Sequence, residues 1–529
     1  MKTPLTKLLF VALVAAAPAT LSAQNFPTDD PVIRRIWEEG MTERSQVFDL
    51  SQALMDSIGP RLMGAPSYDA ASDWLEAKYA SWGVEAERHE YGSWLGWDRG
   101  ATHIDLISPR KRTLSGMMLA WSPGTNGPVE AELLMLPRFS SRAEFDAWLP
   151  SVRGKMIAIT LAEPTCREDR SWQDYARPAS FARMQEERSR ARADWSASIR
   201  AIGTDFVSRI EQAGAVAVFE GLWSAGWGVD KIFEASTSTI PGIHLSCEDF
   251  GLVARLAERG QSPRIRLDAQ AEFLGDVPAY NVIGRIPGTE LPNEYVLLSA
   301  HLDSWDGASG ATDNGTGTIM MMEAMRLLRA AYPNPRRTIL VGHWGGEEQG
   351  LVGSTAFAAD HPDVMDGLHA SFNQDNGTWR VDYIRMMGFT AAGAHFARWF
   401  SAMPNELTDP IELDVPGMPE SGGSDHMSFV CLPAPAFRLQ SNYPDYRTYT
   451  WHTNLDTFDK VVFDDLRHNA TLTAMLAYMA SEDPELMSRE TRVLPATRPE
   501  APATPSRRTL AASAFGQWPA CRPPRRAMN

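Results

Sequence analysis

The chain has 529 residues, 44% of them apolar and 22% charged, with a formal net charge of −16. That length allows two domains or one heavily elaborated one, and the composition is that of a folded globular protein. So acidic a body argues against nucleic acid as a partner, because phosphate contacts need clustered Lys and Arg.

Residues 1–23 read as an export signal. Lys2 and Lys7 stand at the start of an apolar run from Leu8 to Ala17, and the small pair Ser22-Ala23 offers a cleavage point before Gln24. The run falls short of the ~20 residues that span a bilayer, and no later stretch reaches that length. Stable membrane insertion is therefore not expected, and the predicted location is exported, either periplasmic or extracellular. The four cysteines (Cys166, Cys247, Cys431, Cys521) are widely scattered without a CxxC pair, which argues against a cysteine-based metal site. A Cys166–Cys247 bridge suits an exported protein, but spacing alone does not establish it.

Residues 24–111 begin with apolar residues at helix-like spacing in Pro31–Trp37 and Ser45–Leu50. The loop Gly59-Pro60-Arg61-Leu62-Met63-Gly64-Ala65-Pro66 follows. A second amphipathic helix then places Ala71, Trp74, Leu75, Tyr79 and Trp82 on one face before Gly83 stops it. Over 112–275 short β-type runs such as Met156–Ile159 and Ala215–Phe219 alternate with turns, around a solvent-facing helical stretch at 170–200. No cluster in this region has ligand or nucleophile spacing, which marks an inserted, non-catalytic domain. Residues 276–484 return to strand–helix alternation, with buried-strand candidates at Tyr295–Leu298, Thr338–Val341, Ala370–Phe372 and Ala436–Leu439 and a helix at Thr316–Ala331. The expected fold is α/β, a mixed and mostly parallel sheet with helices on both faces. Residues 485–529, rich in Pro, Ala and Arg, are expected to form a disordered tail.

The chemistry gathers where strands end. His301 closes the first strand, in Ala300-His301-Leu302-Asp303-Ser304-Trp305-Asp306, and sites in open α/β sheets form beyond the carboxyl ends of strands. Asp303, two residues on, can accept the second ring N–H of a metal-bound imidazole and fix its tautomer. Asp313 follows in a Gly-rich turn leading into a helix. The next strand ends in Gly345-Gly346-Glu347-Glu348, and paired carboxylates there need compensating charge, which a metal supplies to one while the other acts as a general base. A third strand ends before Asp375, and His452 follows the strand at 436–439. Two His and three carboxylates are too many for one zinc that keeps an open position, and suit two metals ~3.5–4 Å apart. Zinc fits these donors, with manganese or cobalt as substitutes.

These motifs, with Thr312-Asp313-Asn314-Gly315 and Trp451-His452-Thr453, resemble those of the di-zinc aminopeptidase family, and His-Leu-Asp-Ser-Trp-Asp at 301–306 is most similar to its carboxypeptidase Q branch. The resemblance covers about residues 30–110 and 276–482. The region between resembles the protease-associated domain that this branch carries, notably at Gly214–Val218 and Ile240–Ile243. It implies that His301 and Asp375 bind one zinc, Glu348 and His452 the other, and that Asp313 bridges them. Glu347 would be the general base, Asp303 would orient His301, and Asp313-Asn314 would be a cis peptide. A secreted exopeptidase acting next to a free N-terminus in dipeptides or short peptides follows, with a homodimer as its assembly. The family's Tyr ahead of a Ser-Asp-His string is missing, since Ser421-Gly422-Gly423 precede Ser424-Asp425-His426. This leaves His426, Tyr443 or Tyr446 to contact the substrate oxyanion. His343, His361 and His395 read as ordinary surface or core residues. Glutaminyl cyclases share the fold and use one zinc, and some receptor ectodomains share the peptidase-plus-insert arrangement without its ligands; these are the rival readings.

Overall fold

The computed structural model describes residues 29–375, 377–494 and 516–527. The export-signal segment 1–23 lies outside the described residues.

A single sheet of fourteen strands runs through the described chain. Among its central strands, Leu368–Gln374 and Arg337–Trp344 are buried throughout and Leu291–His301 is buried from Tyr295 onward; Val, Ile, Leu and aromatic residues there suit a pleated sheet covered on both faces. They lie side by side and parallel, with Ala436–Ser441 parallel beyond Leu368–Gln374. Register pairs Trp344 with His301 and Asn373 with Ser299, so the carboxyl ends of neighbouring strands arrive at one edge.

Helix Thr316–Ala331 has the predicted bounds. From Thr316 to Leu328 every residue is buried, because the helix packs on the sheet beside Phe463–Glu482 and is covered by the helices Pro31–Gly40 and Val47–Gln52. Helix Pro66–Trp82 ends where Gly83 takes a left-handed φ of 72° and its N–H caps Ala80 and Tyr79. The mixed, mostly parallel sheet with helices packed on it is the expected fold class.

Two long strands were not visible in the sequence. Glu85–Ser108 and Arg264–Ile286 pair antiparallel along nearly their whole length. One end of Arg264–Ile286 pairs with Arg337–Trp344 and the other with Val129–Met135. The expected boundary between residues 275 and 276 thus falls within a continuous strand. Beyond it the sheet continues through Val129–Met135, Met156–Ala158, Ala217–Glu220, Gly242–Leu245 and Gly116–Met118. A second, smaller core forms there around Phe145, Ile157, Ile202, Ile210 and Val218.

The expectation of disorder from residue 485 does not hold for residues 516–527. Cys521 is bonded to Cys431, Trp518 Nε1 donates to Val430 O at 2.7 Å, and Arg526 O accepts from Ser93 N at 2.9 Å. Composition pointed to a tail, but a disulfide and a backbone pairing fix this segment without any periodic apolar pattern. Cys166–Cys247 is a second disulfide.

Candidate metal centre

His301 ends a parallel strand, Asp375 directly follows one, Glu348 stands in the turn after a third, and Asp313 and His452 lie in longer connections beyond strand ends; the aligned register brings them together. His301 Nε2 lies 3.4 Å from Asp313 Oδ1 and 3.5 Å from Asp375 Oδ1. His452 Nε2 lies 3.3 Å from Asp313 Oδ2 and 2.8 Å from Glu348 Oε2. These are two triads, His301–Asp313–Asp375 and Asp313–Glu348–His452, joined through the two oxygens of Asp313. The peptide Asp313-Asn314 is cis.

The local backbone is committed to this arrangement. Asp313 N donates to Asp456 Oδ2 at 3.0 Å, and Thr312 donates to Asp456 Oδ1 through both its N–H (2.8 Å) and its hydroxyl (2.7 Å). His452 sits at φ 54°, a conformation rare outside glycine, which cages of neighbouring rings make tolerable. Trp451 stacks on its imidazole at 4.0 Å between centroids, and Phe233 meets it edge-on at 5.1 Å. Ile232 N also donates to His452 O at 2.9 Å. The region expected to stand apart from the site therefore supplies part of the wall that holds His452.

Asp303 requires a correction. The His301 Nδ1–H donates to the backbone carbonyl of Asp303 at 2.9 Å, while the carboxylate is 3.6 Å away. That carboxylate instead accepts from Glu347 N at 3.1 Å and Glu348 N at 3.2 Å. The chain leaves the strand at His301, so the alternation that would aim both side chains one way stops there. The carbonyl orients the imidazole, and the carboxylate anchors the turn that carries the two glutamates.

Sequence reasoning also missed Arg61. It is fully buried and donates to the carbonyls of Leu302 (2.7 Å), Gly59 (2.9 Å), Ser309 (2.7 Å) and Gly310 (2.9 Å). Burial lowers its pKa to about 10, so it stays cationic at neutral pH, opposed by the fields of Asp456, Asp303, Asp313 and Glu348. Its only sequence signal was a charged residue inside the Gly/Pro loop at 59–66.

The remaining candidates separate by position. Tyr446 is buried and lines a cavity of about 260 Å³ together with Asp313, Glu347, Glu348, Asp375 and His452. Tyr443 lies further out, in an adjoining cleft of about 910 Å³, and its hydroxyl accepts from Thr450 Oγ1 at 3.2 Å. His426 is fully buried with Nε2 3.0 Å from Glu420, and lines neither cavity. His343 is a core residue hydrogen-bonded to the Tyr79 hydroxyl at 2.6 Å, and His395 pairs with Asp483 at 2.9 Å.

Protein groups alone leave this centre under-compensated. Burial pushes the carboxyls of Glu347 and Glu348 up, and takes Asp456 to about 7. Burial opposes a charged His301, yet Glu347, Asp303, Asp313 and Asp375 hold its pKa well above the ordinary value. His301 Nε2 and Glu348 Oε1 are buried without a hydrogen-bond partner. Donors at about 2.0–2.1 Å from one tetrahedral ion sit roughly 3.3–3.4 Å apart, too far for a good hydrogen bond and close to the spacings around His301 and from His452 to Asp313. The donor set, its orphaned atoms and its spacing fit divalent cations.

Fold and site together define a metallopeptidase. Residues 281–477 match the model of Peptidase family M28. The chain is 26% identical over 438 residues to carboxypeptidase Q of Mus musculus, covering 82% of this chain and 86% of that protein. Among solved structures it is similar to a peptidase M28 precursor from Shewanella amazonensis, with a TM-score of 0.63 and 25% identity, covering 87% of this chain and 98% of that one. A zinc aminopeptidase from Bacillus subtilis shares the fold, with a TM-score of 0.54 and 17% identity, covering 84% of this chain and 96% of that one. The motif resemblance to the di-zinc aminopeptidases and their carboxypeptidase Q branch is thereby supported along most of the chain.

Proposed function

We propose that the chain is an exported, zinc-dependent exopeptidase that hydrolyses the peptide bond next to a free N-terminus in dipeptides or short peptides. The observation that carries this reading is the pair of donor triads sharing Asp313, with Glu347 beside them in the same cavity. His301 and Asp375 would hold one zinc, Glu348 and His452 a second, and Asp313 both. Bound zinc supplies Lewis-acid polarisation of the scissile carbonyl and lowers the pKa of water toward ~7.

Glu347 is the general base. Its turn is fixed through Asp303, its side chain faces the cavity, and it takes a proton from the attacking water and gives it to the leaving amine. Tyr446 is the oxyanion donor, because it lines the cavity with Glu348 and Asp375 and its hydroxyl feels the charges of Asp313, Asp375 and Glu348. The carbonyl of Asp303 keeps the His301 proton on Nδ1 and leaves Nε2 free to ligate. Residues 112–275 act as the inserted domain, and their 231–233 segment braces His452. Two disulfides suit an oxidising compartment. Among the described residues no helix is long and apolar enough to cross a membrane. A homodimer is the assembly that the resemblance implies.

Hydrolysis of free and N-acetylated dipeptides by the zinc-loaded protein tests the reading. Free dipeptides are expected to be cleaved and acetylated ones spared, and Glu347→Gln is expected to lower kcat by about 10²–10⁴-fold with metal content unchanged. Equal cleavage of both substrates would remove the free-N-terminus requirement, and full activity of the variant would remove Glu347 as base.

A further inference from the structure

Residues 516–527 return from the end of the chain to the mouth of the metal cavity. The segment is fitted to the fold at four points. Trp518 is held at Val430, Cys521 is bonded to Cys431, Arg526 pairs with Asp360 at 2.5 Å, and the Arg526 carbonyl accepts from Ser93. At Gly92 a Cβ would stand 1.7 Å from the Arg526 carbonyl oxygen, so the close approach requires glycine there. Between these anchors, Arg522 donates to Gly350 O at 2.9 Å and lines the 260 Å³ cavity with Glu347, Glu348 and Asp375.

Two more arginines line that cavity, and both also line the larger cleft that adjoins it. Arg447 stands with its guanidinium carbon 4.2 Å from the Trp451 ring centroid. Arg438 is buried, with Nε unpartnered, and shares the single carboxylate of Glu420 with Arg385. Among the described residues neither Arg447 nor Arg522 has a carboxylate within ion-pair distance. An acidic metal cavity is thus bordered by a cationic rim whose own counter-charge is incomplete. Guanidinium groups of this kind recognise carboxylates through paired, charge-assisted hydrogen bonds.

We propose that the C-terminal segment, clamped by Cys431–Cys521, completes the substrate pocket, and that Arg522 with Arg447 binds a carboxylate of the peptide. The inference deepens the exopeptidase reading and rests on it. The carboxylate is either the C-terminal one of a short peptide or an acidic side chain. The competing role for Arg522 is to brace the turn after Glu347 and Glu348 through Gly350 O, which would affect every substrate alike.

The test uses the zinc-loaded full chain and four probes: dialanine, dialanine amide, and dipeptide amides with glutamate or glutamine in the second position. Binding to Glu347→Gln protein is measured by calorimetry, with and without Arg522→Ala, so that the result does not depend on turnover. Arg522→Ala is expected to weaken binding of carboxylate-bearing probes by about 10–100-fold while leaving the neutral amides unchanged. Arg522→Lys is expected to recover part of the loss. The Cys431→Ser/Cys521→Ser double variant, which frees the segment, is expected to reproduce the Arg522→Ala pattern. Loss confined to dialanine assigns the C-terminal carboxylate, and loss confined to the glutamate amide assigns a side chain. Equal weakening of acids and amides, or no change, overturns the proposal. If wild-type protein cleaves none of the probes while the binding pattern holds, the exopeptidase reading fails and the carboxylate rim stands.

Discussion

Asp303 carries more of the site than its spacing from His301 suggested. Its carbonyl sets the tautomer of a donor histidine, and its carboxylate holds the backbone of both Glu347 and Glu348. Replacing the carboxylate therefore loosens the proposed base and a candidate metal donor together, while leaving the carbonyl contact intact. Asp303→Ala is expected to lower activity or metal affinity by about 10–100-fold, the usual effect of removing a group that orients ligands. Titrating metal into the apo variant and comparing kcat at saturation checks this. Retention of both wild-type affinity and wild-type kcat would show that the turn holds itself. Asp456 does comparable work for Asp313 through three hydrogen bonds to Thr312 and Asp313.

At the scale of elements, Glu420 joins the outer strands Val381–Arg385 and Ala436–Ser441 by pairing with Arg385 (3.0 Å) and Arg438 (3.2 Å), and it accepts from His426 (3.0 Å). Burial alone would raise its pKa, but Arg438, then His426 and Arg385, pull it down to about 2. A folded-state pKa below the unfolded value of about 4.3 means the carboxylate stabilises the fold fully above that unfolded value. That contribution fades as pH falls from about 4 through 2. Glu420→Gln is expected to cost about 3–5 kcal/mol at pH 7, because it removes the carboxylate that faces the buried Arg438 and His426. The gap between variant and wild type should close toward pH 2 in denaturant melts followed across pH. A gap independent of pH would mean that packing, not ionisation, sets the contribution.

Across the whole molecule, the centre concentrates buried carboxylates where four parallel strands end, and the buried cations near them, Arg61, Arg438 and Lys231, are fewer than the carboxylates they face. Bound cations should then stabilise the native state well beyond the site itself. Zinc at about a thousandfold excess over Kd is expected to add about 4 kcal/mol through preferential binding to the folded chain. Calorimetric scans of chelated and zinc-restored protein measure this. A Tm that does not move on chelation would show that the fold tolerates the uncompensated centre.

The sequence by itself determined the cores of the buried strands, helix Thr316–Ala331 and the candidate donors and base His301, Asp313, Glu347, Glu348, Asp375 and His452 at or beyond the carboxyl ends of those strands. Hydrophobic runs and Gly-rich turns are local signals, and a donor at a strand end needs no long-range information to be seen. The long pairing of Glu85–Ser108 with Arg264–Ile286 was missed, because the alternation Ile265, Leu267, Ala269 is short and gives way to an exposed polar stretch before the strand becomes buried again, and Glu85–Ser108 mixes exposed and half-buried residues. Apart from the local Gly59 carbonyl, Arg61 and the carboxylate of Asp303 found their partners through contacts distant in the chain, such as Leu302, 241 positions from Arg61. The segment 516–527 read as a tail because its order comes from a disulfide, a tight approach at Gly92 and single hydrogen bonds rather than from an apolar face. Local patterning wrote the candidate donors of the site into the chain; which groups brace them, and which residues border the cavity, was decided by tertiary packing.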